Sequence, residues 1–133
     1  MSVPASERPQ IFVFGSNLAG RHGKGAALEA RRDHGAVYGV GHGPTGRAYA
    51  IPTKDKLLRI LPLDQIAFYV ASFLTYARDH PGLTFNVTRV GCGLAGYGDT
   101  DMAPLFADAT ENVKLPDDWR EIAARPARAR RNP

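Results

Sequence analysis

The chain has 133 residues, 44% of them hydrophobic and 23% charged, a composition that fits one globular domain with a single core and is too short for two. No apolar run approaches the roughly 20 residues that cross a bilayer, and a single cysteine, Cys92, excludes an internal disulfide and a multi-cysteine metal site. The formal charge of +4 is unevenly placed: residues 1–119 hold 12 Lys and Arg against 12 Asp and Glu, and residues 120–133, with five Arg and one Glu, supply the whole excess.

Residues 1–10 contain two prolines and no apolar signal-peptide core, so they read as an N-terminal extension of a cytoplasmic protein without a membrane partner. Residues 11–119 read as the folded domain. Residues 120–133 read as a basic, disordered tail that could touch nucleic-acid phosphates weakly. The basicity thus describes an appendage and says little about the folded part.

Ile11-Phe-Val-Phe is a continuous run of β-prone residues, the pattern of a buried parallel strand. Gly15, Gly20, Gly23 and Gly25 then interrupt regular structure, and residues 24–34 favour a helix that stops at Gly35. Residues 36–40 suggest a strand or extended piece before a glycine-rich loop, and Arg47-Ala-Tyr-Ala-Ile a further strand ended by Pro52-Thr-Lys. Ile66, Tyr69, Val70, Phe73, Leu74 and Ala77 repeat at the spacing of a core-facing helix over residues 62–78, with Pro62 and Asp64 at its start. Val113 and Leu115 suggest a short edge strand.

Leu83, Phe85 and Val87 alternate as one face of a strand that opens into four glycines within eight residues, Gly91, Gly93, Gly96 and Gly98. Thr100 offers an N-cap for a helix over residues 101–109, with Pro104 in its first turn. The chain therefore contains two strand, glycine-loop, helix units. Such units leave amide N–H groups near a helix start, where they receive an anionic oxygen such as a phosphate, and two of them predict an α/β fold with a ligand at the strand carboxyl ends.

Asn17 follows the first strand, where its amide either binds a sugar diol or closes an Asx turn. Lys54 follows a strand directly and is either a solvated charge or a nucleophile toward a masked carbonyl. Cys92 reads as a small residue packed under its loop rather than a nucleophile. His22, His34, His42 and His80 have no metal-ligand spacing and read as loop or helix-end residues.

Asn17, then Gly23-Lys-Gly-Ala-Ala-Leu, then Pro52-Thr-Lys, then Val90-Gly-Cys-Gly-Leu-Ala-Gly, in that order, resemble the macrodomains, the ADP-ribose-binding α/β/α modules. The likeness covers about residues 11–109 and is greatest to the branch of the terminal ADP-ribose protein glycohydrolase and the antitoxin macrodomains that remove ADP-ribose from DNA. It implies a compact α/β/α sandwich with a mixed, largely parallel sheet. It also implies ADP-ribose, or an ADP-ribosylated DNA or protein, as partner, and no cofactor or metal. Asn17, Gly23, Lys24 and Gly25 would meet the distal ribose. Gly91, Cys92, Gly93, Leu94, Ala95, Gly96 and Tyr97 would wrap the diphosphate, and Lys54 matches the lysine that attacks the anomeric carbon.

Two departures accompany the likeness. The strand and Asp-containing turn that recognise adenine in macrodomains have no counterpart in the roughly ten residues before Ile11. The glycohydrolase also carries an acid after Gly-Cys-Gly-Leu where this chain has Ala95, leaving Asp99 and Asp101 as the nearest proton carriers. The antitoxin branch lacks that acid too. Two other readings stand beside hydrolysis: a binding module that captures ADP-ribose without cleaving it, and a Rossmann-like nucleotide protein of the lonely-guy superfamily. Ile11-Phe-Val-Phe-Gly-Ser is similar to the opening of that superfamily, although its later glycine loop and Arg/Glu signature are not evident here.

Overall fold

A computed structural model describes residues 3–93 and 95–125. The predicted ligand residue Leu94, and residues 126–133 of the predicted tail with its nucleic-acid contact, lie outside the described residues.

Five strands form one mixed, mostly parallel sheet with four helices around it. In chain order these are β1 (Gln10–Asn17), α1 (Gly25–Asp33), β2 (Gly43–Thr45), β3 (Ala48–Lys54), α2 (Leu63–Asp79), β4 (Thr84–Val87), α3 (Asp99–Met102), β5 (Val113–Lys114) and α4 (Trp119–Ala124). The spatial order is β2-β3-β1-β4-β5, with β1 parallel to β3 and β4, β5 parallel to β4, and only β2 antiparallel. From β1 the chain crosses to β3 by way of α1, and from β3 it returns past β1 to β4 by way of α2. Right-handed crossovers in opposite directions put α1 and α2 on opposite faces of the sheet. They also leave a crevice at the carboxyl end of β1, where the two directions diverge.

Alternation along the strands fills both layers. Phe14, Ala48 and Ala50 pack with Ala27 and Ala30 of α1 on one face. Val13, Tyr49, Ile51, Phe85 and Val113 meet Ile66, Val70, Phe73 and Ala77 of α2 on the other, where Phe106 and Trp119 join them. The helix-period residues of α2 are thus the ones that its spacing predicts, and burying a side chain such as Phe73 contributes roughly 1.5–3 kcal/mol.

Four expectations are corrected. Residues 37–39 form a turn and no strand, because Val37 N–H is taken by Thr45 Oγ1 of β2 and Gly39 N–H by the Gly20 carbonyl of the first loop, contacts that hold this segment between the two. The helix after the second loop is capped at Gly98, two residues earlier than Thr100 would place it, since the Asp101 carboxylate accepts the Gly98 N–H at 3.0 Å. It is also shorter: Pro104 has no N–H to extend the ladder, and the chain tightens into a 3₁₀ turn at Ala103–Phe106. The folded body continues past residue 119 through Ala124, because Ile122 of α4 is buried and Arg120 donates to the Val113 carbonyl at 2.6 Å. Among the described residues, no helix is long and apolar enough to cross a membrane.

Candidate functional site

The crevice at the carboxyl end of β1 is a cleft of about 660 Å³, within the range of small-molecule sites. Its floor comes from the strand ends, at Gly15, Ser16 and Asn17 of β1, Thr53 and Lys54 of β3, and Thr88, Arg89 and Val90 after β4. One wall is the first glycine loop with the start of α1. The other is the second loop, at Gly91, Gly93 and Ala95.

Local sequence fixes how β1 and β3 end. Pro52 has no N–H for the ladder, and the register slips beside it, between Ser16 and Asn17, so that Asn17 pairs with Lys54. The slip sets the Asn17 amide and the Lys54 side chain at neighbouring strand ends. Thr53 Oγ1 donates to the Ser16 carbonyl and Thr88 Oγ1 to the Val13 carbonyl, tying all three strand ends together.

Asn17 does two things. It lines the cleft, and its side chain closes a ring on the first loop, Oδ1 accepting from Arg21 N–H at 2.9 Å and Nδ2 donating to the Arg21 carbonyl at 2.8 Å. The loop also needs Gly20. Its φ of +71° is left-handed, and a Cβ there would lie 2.2 Å from the carbonyl carbon of Gly39. Beyond the loop, α1 begins with the amides of Gly25, Ala26 and Ala27, and none of the three meets a protein acceptor among the described residues.

His22, which the sequence places in a loop, packs beneath the first glycine loop. It is 0% exposed, packed edge-on against Phe14 and Tyr38, with Nε2–H donating to the Val40 carbonyl at 3.0 Å and Nδ1 without a partner among the described residues. Burial, reinforced by the Arg31 charge, holds its pKa below the ordinary 6.5. Its burial rests on Phe14 of β1 and on Tyr38 and Val40 of the turn after α1, two segments that no local spacing brings together.

The charge of the cleft has one sign. Arg21, Lys24, Lys54 and Arg89 line it, and no Asp or Glu does. Among the described residues, the side chains of Arg21, Lys24 and Lys54 have no ion-pair partner; Arg89 pairs with Asp99 at 2.6 Å. Sequence reasoning missed Arg21 and Arg89. Their signal was position, since one sits within the first loop and the other between β4 and the second.

The second loop presents fewer of its predicted residues. Gly91, with φ +79°, backs onto the Met102 thioether, and Gly93 and Ala95 face the cleft. Cys92, Gly96 and Tyr97 do not line it. Tyr97 turns away to donate its hydroxyl to the Leu61 carbonyl at 2.7 Å. Cys92 is half-buried beside Asp99, and burial, with that carboxylate next to it, pushes its thiol up to about 11, which leaves it a poor nucleophile.

Neither predicted proton carrier reaches the cleft. Asp101 caps Gly98. Asp99 Oδ1 accepts from Arg89 at 2.6 Å, from Trp119 Nε1 at 2.8 Å and from Cys92 Sγ at 3.7 Å. The Trp119 bond, then the arginine, hold its carboxyl below the ordinary 3.8. Both carboxylates are occupied in fixing the second loop.

The arrangement is suited to an extended anion with a sugar: two loops, unpaired amides, four cations, and an asparagine beside a lysine at the strand ends. Comparison with protein-family models, with curated proteins and with solved structures finds no match for this chain.

Proposed function

We propose that the protein binds ADP-ribose in this cleft and releases ADP-ribosyl groups from a modified macromolecule, DNA or protein, through Lys54, in the cytoplasm and without a cofactor. The observation that carries the reading is a cleft lined by four cations and no acid, between two glycine loops, with Asn17 and Lys54 paired in register at its floor. A diphosphate would take the α1 amides and the cations of the loops, leaving the distal ribose over the strand ends. The amine of Lys54 then adds to the anomeric carbon. The bond from that carbon to the acceptor breaks, and the acceptor atom leaves with the electron pair and the proton given up by the amine. The ribosylamine so formed opens its ring, the bond from the anomeric carbon to the ring oxygen breaking as the second amine proton passes to that oxygen, and water hydrolyses the resulting imine, freeing ADP-ribose and lysine.

A second reading, a binding module without turnover, is favoured by one observation: no carboxylate lines the cleft to carry a proton. One pair of measurements separates the two. Lys54→Ala should reduce release of ADP-ribose from modified DNA and protein by about 100-fold or more, while ADP-ribose Kd changes by less than about fivefold, a shift of under ~1 kcal/mol. Reduction during turnover should trap a lysine-linked adduct in the parent only. Equal release by the variant sinks the lysine mechanism; a parent that binds ADP-ribose and releases nothing from either substrate establishes the binding module; a parent indifferent to ADP-ribose overturns both.

A further inference from the structure

Among the described residues, Arg89 is the one cleft cation with an acidic partner, and that partner is itself anchored. Asp99 Oδ1 receives the Arg89 Nη1–H and also the indole N–H of Trp119, whose ring is fully buried against Phe106. Arg89 Nη2 reaches the Asp117 carbonyl at 3.4 Å. The guanidinium is therefore held on one side by two acceptors from the α3 and α4 region. Its Nε–H has no partner among the described residues, and its side chain lines the cleft. A long arginine chain has large rotamer freedom, so an anion that needs it in one place gains when that order already exists.

We propose that Asp99 is a positioning residue: through Arg89 it pre-sets one cationic contact for the anion bound in the cleft, and it ties that contact to Trp119. The identity of the anion as a diphosphate rests on the function proposed above. Two effects of the carboxylate oppose each other. Its charge partly neutralises Arg89 and weakens the pull on an anion, while its hydrogen bond fixes the guanidinium. Side chains that are 46% and 43% exposed are screened by water and salt, which reduces the first effect more than the second.

The test is a double-mutant cycle read by calorimetry with ADP-ribose and, separately, with inorganic pyrophosphate. The Asp99→Asn side chain can still accept from Trp119 but holds Arg89 only as a neutral partner. Arg89→Ala should weaken binding about 10-fold or more and Asp99→Asn about 3- to 10-fold. The double variant should lie within about twofold of Arg89→Ala alone, an outcome that a general loosening of the loop would not give. The melting temperature of Asp99→Asn should stay within about 4 °C of the parent, since an exposed ion pair contributes little stability. Because Trp119 is the only tryptophan in the chain, its emission should change when the parent is saturated and remain unchanged in Arg89→Ala.

Parent-like or tighter binding by Asp99→Asn overturns the proposal, as do additive losses in the double variant. If the parent binds pyrophosphate and not ADP-ribose, the proposed function fails while the pyrophosphate cycle still decides the role of Asp99. If it binds neither, both fail.

Discussion

The two strand, loop, helix units read alike in sequence and are used differently. The first offers its backbone: α1 runs nine residues from amides that have no protein acceptor among the described residues, and the loop before it is closed by the Asn17 amide above a buried imidazole. The second is tied down. Its helix is four residues long, its carboxylates are engaged by Gly98, Arg89 and Trp119, and Tyr97 reaches across to the segment before α2. A glycine loop therefore need not present its amides to a ligand. What decides is whether the segment takes up its own amides first, and in the second unit the Cys92, Gly96 and Tyr97 N–H groups donate to the Arg89, Gly93 and Gly91 carbonyls and the Gly98 N–H to the Asp101 carboxylate.

The largest expected effect comes from adding one methyl to each unit. At Gly20 a Cβ meets the Gly39 backbone, which cannot rotate away, in a left-handed conformation that alanine resists. At Gly91 the backbone is also left-handed, but the Cβ meets Met102 Sδ at 2.9 Å, the end of a flexible chain. Gly20→Ala should cost more than about 3 kcal/mol and Gly91→Ala about 1–2 kcal/mol in urea unfolding. Equal costs would mean that the first loop is not fixed by the close approach of residues 20 and 39.

Acid should separate the units next. A histidine whose folded pKa is depressed binds fewer protons than it does unfolded, so stability is fully present above 6.5 and declines as pH falls below that value. Asp99, also depressed, contributes stability present above 3.8 and lost only below it. Between pH 7 and 5 the parent should lose stability through His22, whose charged form would face Arg31 with Phe14 and Tyr38 against the ring and no acceptor at Nδ1. A His22→Gln variant should have a flatter profile over that interval in thermal melts. A parent that is flat there would show that His22 is hydrated enough to titrate normally.

What could be read beforehand follows the range of the interaction. The α/β order, the strands around Phe14, Ala50 and Phe85, and the α2 face depend on alternation and helical spacing, which lie within a few residues. Asn17, Lys24, Lys54 and Gly91 fall in one cleft because each ends or follows a strand of the same sheet. Residues fixed by distant partners could not be read in this way. Asp99 finds Trp119 twenty positions on, Asn17 meets Lys54 through a register slip beside Pro52, and Val37 is held in a turn by Thr45. Free acids near a loop were expected to serve chemistry, yet the loop's own need for caps and an arginine partner claimed them.

The smallest expected effect concerns where the chain stops mattering. The residues lining the cleft run from Gly15 to Ala95, and the second unit is braced by α4, which ends at Ala124. Deleting residues 126–133 should then leave ADP-ribose affinity within a factor of about two at 0.15 M salt, where the Debye length is ~8 Å. A cut before Arg120 is the contrasting control. It removes Ile122 from the core and the Arg120 bond to Val113, and so loosens the packing around Trp119 that holds Asp99. If the short deletion weakened binding while the melting temperature held, and if added salt erased the difference, the arginines of residues 126–133 would be contributing charge to the ligand site; if it lowered the melting temperature, the folded body would extend beyond Ala124.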